Sequence, residues 1–420
     1  MRLRPRTGAR DARALSRDEV GRHVHGLAAD EPVRALTANY RWAVLAAGTF
    51  AQSTYSAIWF GVAVMAPVLR ERDHLSLAET GFLISSSLLG SIVSLFPWGL
   101  ATDRIGERLV LFAGLVPCGV ALIAAGYAHG FWPLVGLLLF AGAAGASVQS
   151  ASGRAVLHWF PPAQRGLALA IRQTAIPISG FVAALALPPI VHAGGTRWGF
   201  GTMGIACLAG AVLGVLVLRE GPGAEVPEQA AFAPMPVRDR RIWRLSLGSA
   251  LLIAPQLCVA GFTVLYLHEH RGVSTGAAAA VLAVMQVLAI GGRIGAGRWS
   301  DVVASRLRPL RAIALAAFAF VALLTLLLEA PLPLLLPVLV VAGVLSMSWN
   351  SLSFAAVVEL AGHSRSGTAI GLQQTLLNGS GAAYPGLFGA LVAASSWYVG
   401  FAVVALFPLV GWRVLRALPG

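Results

Sequence analysis

Arg172 and Arg293 are the residues in this sequence best placed to do chemistry, because each sits inside an apolar run long enough to cross a membrane. A guanidinium at that depth costs several kcal/mol, so an arginine there marks a functional position by default. It presents five N–H donors in a planar fork that matches an oxyanion. Arg172 lies about two turns after the start of its run and Arg293 about two turns before the end of its own, which puts both at a similar depth. Acids are missing from the middle of every run: Glu79, Asp103, Asp301, Glu329 and Glu359 all sit near ends. With no fixed carboxylate nearby in the sequence, a bound anion is the expected partner for each arginine. The alternative is a structural tie to helix carbonyls or glutamines.

An internal duplication supplies a control. Residues 166–181 and 367–382 align at a shift of 201, pairing Gly166 with Gly367, Ala168 with Ala369, Gln173 with Gln374, Thr174 with Thr375 and Gly180 with Gly381. A second echo at a shift of 198 pairs Gly99 and Asp103 with Gly297 and Asp301. Two echoes at nearly one offset predict two halves of about 200 residues, a common build for membrane carriers. Arg172 then corresponds to Gln373 and Arg293 to Leu95, so the repeated fold itself needs an arginine at neither place.

Other polar residues could line a cavity with these two. Gln286 is seven residues before Arg293, on the same helix face. Gln374 and Asn378 share one face, as do Gln52 and Ser56. Gln149 with Ser152, and Asn350 with Trp349, complete the expected ring. Such residues also hold membrane helices together, at about 0.6 kcal/mol on average.

These side chains need long apolar helices to carry them. The chain has 420 residues, 57% apolar and 12% charged, against about a quarter charged in a soluble domain. Twelve runs from Arg41 are long enough to span: 42–68, 79–101, 108–127, 131–158, 165–192, 197–218, 242–267, 275–300, 310–328, 331–358, 366–393 and 396–415. The expected fold is an all-α membrane protein of two pseudo-symmetric six-helix bundles, over 41–219 and 241–420. An arginine-rich tail, expected to be disordered, precedes them over 1–40, and a Pro, Gly and charge-rich linker over 220–240 joins them.

All 31 basic residues are arginine, and the formal charge is +13. Most lie in short turns at one end of the runs, which excludes a basic nucleic-acid face and sets orientation instead. Placing both termini in the cytoplasm leaves Arg70, Arg72, Arg197 and Arg271 outside. Cys118, Cys207 and Cys258 lie in apolar runs without metal-ligand spacing. His158, His192 and His363 stand singly near run ends, without a metal or acid-base motif. No enzyme, metal or cofactor is expected.

The turn Gly99-Leu100-Ala101-Thr102-Asp103-Arg104-Ile105-Gly106-Glu107-Arg108 resembles the signature G-x-x-x-D-R-x-G-R-R of the major facilitator superfamily, with Glu107 replacing the first closing arginine. Arg172-Gln173-Thr174-Ala175-Ile176-Pro177 and Gly371-Leu372-Gln373-Gln374-Thr375 resemble its bacterial cyanate/nitrate-porter-like branch. The resemblance covers about residues 41–417. It implies two bundles rocking about a central site, and a gate formed by Gly99, Asp103, Arg104, Arg108, Gly297 and Asp301. Asp103 is then expected to face the start of the eleventh helix near Ser364–Ser366, and Asp301 the start of the fifth near Pro162–Gln164. The spacing of Arg293, Gly297 and Asp301 is similar to that of carboxylate and nitrate carriers, where the arginine contacts the anion. The arginine that proton-coupled members often carry early in helix 4 is absent, and only Pro177 and Gly180 survive of the drug-antiporter motif in helix 5.

The expected function is therefore secondary transport of a small anion, an organic carboxylate or a nitrate/cyanate-like ion, across a bacterial inner membrane by a monomeric carrier. The competing reading is an exporter of amphiphilic compounds or drugs, with aromatic walls in place of charge pairing.

Overall fold

Helix accounts for all the regular secondary structure among the described residues, as backbone in lipid requires when no closed barrel forms. The computed structural model describes residues 17–219 and 235–418. Its helices are α1 (Arg17–Arg72), α2 (Leu77–Ile105), α3 (Glu107–Ala125), α4 (Phe131–Gly145, resuming over Ser147–Trp159) and α5 (Arg165–Gln173, resuming at Ala175). The helix Ala175–Val217 is broken at Gly194 and Gly195, the latter at φ 68°, so α6 (196–217) is a separate crossing. There follow α7 (Arg240–Leu265), α8 (Thr275–Val302), α9 (Leu307–Leu326), α10 (Leu332–Met347, resuming over Asn350–Ala361), α11 (Ser366–Ala394) and α12 (Trp397–Arg416).

Among the described residues, nine helical stretches are long and apolar enough to cross a membrane, and one of them, Pro162–Val217, contains the break between α5 and α6. Helices α1 and α11 complete the twelve; α11, at 29 residues, spans about 44 Å. Several starts are written locally. Ser76 and Glu79 form a reciprocal capping box on α2, while Ser274, Ser396 and Asp239 cap α8, α12 and α7.

Two units make up the chain, Met1–Ala43 and Val44–Gly420. The first contains the opening turns of α1. Within the stretch expected as a tail, 1–40, helix α1 begins at Arg17. Residues 1–16 lie outside the described residues, as do 220–234 of the expected linker. What is described of that linker is a short turn over Pro236–Arg238, after which α7 starts at Arg240.

Three runs expected to be single helices are interrupted, α4 at Ala146, α5 at Thr174 and α10 at Ser348–Trp349. Pro177 explains the second: it has no N–H to return to the carbonyl of Gln173, four residues back. Within Val44–Gly420 the two halves meet along two matched seams. Helix α2 packs on α11, and α8 packs on the 165–173 segment of α5. The outer faces carry exposed apolar side chains such as Val93, Trp132, Phe181 and Leu326, as lipid contact requires.

Candidate functional site: a central cavity above a double latch

The seams close one end of the molecule. Asp103, near the end of α2, accepts the backbone N–H of Gly367 at 2.8 Å and of Thr368 at 2.7 Å, and also the Thr368 hydroxyl. Asp301, near the end of α8, accepts the N–H of Gly166 at 3.0 Å and of Leu167 at 2.9 Å. Each carboxylate thus satisfies the free donors of the first turn of a helix in the other half. A contact of that kind is worth about 0.3–1 kcal/mol at a surface and up to about 2 when partly buried. The grip falls on Gly367–Thr368 and Gly166–Leu167, one to three residues beyond the stretches expected from the sequence.

Glycine lets the seams close. A Cβ on Gly99 would sit 2.4 Å from the Gly367 carbonyl oxygen, and one on Gly297 would sit 2.5 Å from that of Gly166. Since the halves repeat at shifts of 198 and 201, these are two copies of one contact.

The charges that support the latches are not those the signature turn suggests. Arg104 and Arg108 are exposed. Arg154 of α4 is buried instead: its Nη1 lies 3.7 Å from Asp103 and donates to the Thr102 carbonyl, while its Nε lies 3.8 Å from Glu107. His158, one turn on, brings Nδ1 within 2.7 Å of Glu107. Glu107, the departure from the family signature, thus has partners of its own. In the other half Arg306 donates to Asp301, to Ser300 at 2.7 Å, to Glu359 at 2.8 Å and to the Pro162 carbonyl. None of Arg154, His158, Arg306 and Glu359 was singled out for the gate in the sequence. Arg306 is five residues beyond Asp301, which is the only local signal for any of them.

Between the halves, on the far side of the latches, is a cavity of about 560 Å³. Its walls include Arg293, Gln286, Gln149, Asn350, Gln374 and Asn378, all expected there, and Gln173, Gln256, Gln373 and Trp59, which were not. They extend away from the latches to Ser85 of α2 and Gly261 of α7, both exposed.

Arg293 is held by the ends of broken helices. Its Nε donates to the Met347 carbonyl at 2.9 Å, where α10 is interrupted, and its Nη1 to the Gln173 carbonyl at 3.0 Å, where α5 is. Pro177 leaves the Gln173 carbonyl without a helical donor, so an arginine from the other half can take it. Two of the five guanidinium N–H groups are so engaged.

Arg172 and Gln52 stand elsewhere. Arg172 is fully buried and does not line the cavity. Its Nε donates to Ser152 at 2.8 Å, and its Nη2 donates to Gln52 at 2.9 Å and to the Gln149 carbonyl at 3.0 Å. It lies 4.8 Å from the ring centroid of Phe354, a cavity residue from the other half. The duplicate position has the same wiring with a neutral side chain: Gln373 donates to Ser353 at 2.9 Å, and Gln373 and Ser353 lie 201 beyond Arg172 and Ser152. Arg172 is thus bonded among helices in the way a structural tie would be, the alternative that the sequence left open.

Two duplicated six-helix halves, a polar cavity between them and matched latches at one end define a multi-pass membrane transporter, not an enzyme. The chain belongs to the major facilitator superfamily, whose family model (Major Facilitator Superfamily) matches residues 48–385. It is 35% identical over 375 residues to an uncharacterized MFS-type transporter of Mycobacterium tuberculosis, covering 88% of this chain and 83% of that one. It is 25% identical over 362 residues to a probable sulfoacetate transporter of Cupriavidus necator, covering 80% and 84%. Among solved structures, the proton:xylose symporter XylE bound to 6-bromo-6-deoxy-D-glucose superposes with a TM-score of 0.74 at 16% identity, covering 91% of this chain and 96% of that one. That likeness concerns the fold.

Proposed function

We propose that this protein carries a small anion across a bacterial inner membrane by alternating access, with both chain ends in the cytoplasm. The observation that carries the reading is the charge of the cavity. Arg293 is the one ionised side chain among the residues that line it, and no carboxylate faces it there. A guanidinium in that setting is costly until an anion neutralises it. The likeness to a probable sulfoacetate transporter points the same way. In this reading Arg293 is the anion ligand, and Gln149, Gln286, Asn350, Gln374 and Asn378 supply hydrogen bonds. Asp103 and Asp301 hold the cytoplasmic gate shut while the cavity faces outward. Arg172 and Gln52 act behind the site by fixing α1, α4 and α5.

Uptake or counterflow in proteoliposomes against a panel of small anions tests the reading. Saturable flux of an anion that is lost in Arg293→Ala is expected. The opposing reading, an exporter of amphiphilic compounds, draws on the aromatic and aliphatic walls around Trp59 and Phe60. Tight binding of tetraphenylphosphonium with no anion flux would favour it.

A further inference from the structure

The cavity describes its cargo more narrowly than "anion". Three features bear on it: the number of charges, the distribution of apolar wall, and the polar atoms left without partners.

Charge comes first. One guanidinium and no acid line the cavity, so its wall presents a single positive charge; the other buried guanidinium, Arg172, lies behind Gln149 and Phe354 and is already bonded to Ser152, Gln52 and Gln149. A monoanion cancels it. A dianion would bring a second negative charge with no cation on the wall to bond it, and a charge left without such a partner is unfavourable once the cavity closes.

Depth comes second. Arg293 is eight residues before Asp301 on α8, about 12 Å above its latch. Gln173, Gln373, Gln374 and Asn350 share the latch-proximal part of the cavity, each within about two turns of a latch residue or at a helix break. Further out the walls are mainly apolar, with Trp59, Phe60, Ile84, Leu88, Leu257 and Leu282 set among Ser85, Gln256, Gln286 and Asn378. The volume, about 560 Å³, lies within the usual range of roughly 300–1,000 Å³ for sites that enclose an organic ligand. A nitrate-sized ion would touch the polar floor and leave the apolar walls wet.

Unpartnered polar atoms come third. The side-chain oxygens of Gln173, Gln256 and Asn350, the amide nitrogen of Asn378 and the indole N–H of Trp59 are buried without a hydrogen-bond partner, and all five residues line the cavity. Buried polar atoms are normally satisfied. Their unmet capacity marks the space as one that a ligand fills: the carboxylate can accept from the Asn378 and Trp59 N–H groups, and water entering with the ligand can donate to the three oxygens. Arg293 keeps three N–H groups for the head of that ligand.

From these features we infer that the substrate is an amphipathic organic monocarboxylate, with its carboxylate on Arg293 and its partly apolar body lying between Trp59 on one wall and Leu257 and Leu282 on the other. This rests on the anion-carrier reading and narrows it to a cargo unlike the sulfoacetate dianion in the relative's name, with inorganic ions and dianions disfavoured.

The test uses the full-length purified protein and its thermal unfolding midpoint as a readout of binding. The probes are phenylacetate, hexanoate, nitrate, adipate, the neutral phenylacetamide and tetraphenylphosphonium. Phenylacetate or hexanoate should raise the midpoint at concentrations about tenfold or more below those at which nitrate or adipate do, a gap of about 1.4 kcal/mol. Phenylacetamide should bind more weakly than phenylacetate, because it lacks the charge. Nitrate or adipate binding as tightly as the monocarboxylates would overturn the inference and leave an anion carrier standing. Tetraphenylphosphonium binding with no response to any anion would overturn both. No response to any of the four anions would overturn the inference as well.

Discussion

The carboxylate of Asp103 accepts the backbone N–H of Gly367 at 2.8 Å, joining residues 264 apart in the chain. Asp301 and Gly166 repeat the contact at 3.0 Å in the other seam. Asp103→Asn keeps an acceptor but removes the charge that favours the helix end. The closed gate should lose about 1 kcal/mol, which shifts a two-state ratio several-fold. Turnover in proteoliposomes should fall several-fold while anion binding changes little. Equal losses in both would place Asp103 in the binding site.

Gly99→Ala puts a methyl 2.4 Å from a backbone oxygen that cannot move aside without parting α2 from α11. The gate should then spend more time open. A cysteine replacing Ser364, buried in the turn just before α11, should react faster with a membrane-impermeant maleimide applied from that side. Background should be low, because Cys118, Cys207 and Cys258 are all buried. An unchanged labelling rate would mean that the close approach is not what holds the seam shut.

Arg172→Gln copies the wiring of Gln373 in the other half, where a neutral amide bonds Ser353. The variant should fold and transport, with an affinity within about threefold of the parent, since a tie can be replaced where a ligand cannot. Loss of anion binding without loss of folding would return Arg172 to the site.

Arg293→Lys retains the charge and loses the planar fork, which cannot then reach the Met347 and Gln173 carbonyls and an anion together. Transport should fall about tenfold or more, and Arg293→Ala should abolish it. Pro177→Ala acts from the opposite side. It gives the Gln173 carbonyl a helical donor again and competes with Arg293 for it. Anion affinity in that variant should rise or hold while the unfolding midpoint falls. A drop in affinity would show that the proline shapes the cavity wall directly.

Reporter domains fused after Gly420 and within 222–236 should both read cytoplasmic, because the arginines concentrate on that side. A periplasmic signal from either position would reverse the proposed orientation of the gate.

The duplication carried most of what was legible beforehand. It set the halves and paired Gly99 with Gly297 and Gly166 with Gly367, while the family resemblance aimed Asp103 and Asp301 at opposite helix starts. Six of the eight expected residues line the cavity, and for Gln286, Gln374 and Asn378 the signal was helical spacing, because polar side chains on one face of an apolar helix must point away from lipid. What spacing could not supply was the partner of each charge. Arg154 and Arg306 look like loop and helix-end arginines until depth brings them beside Asp103 and Asp301. Arg172 and Arg293 looked alike because depth alone does not tell which one is already occupied by Gln52, Ser152 and Gln149. Pro177 was a missed signal: a proline within a membrane helix announces an orphaned carbonyl four residues back, and here that carbonyl receives Arg293.

The lone positive charge of the cavity has an electrical consequence. A site that holds +1 becomes neutral when a monoanion fills it, so in the loaded form the site itself adds nothing to the response to membrane voltage. Only the empty form carries its charge across whatever fraction of the field the rocking halves traverse, where a full crossing is worth about 2.3 kcal/mol per 100 mV. Voltage would therefore govern the return of the empty carrier, and the rate of exchange, with both journeys loaded, would be nearly independent of it.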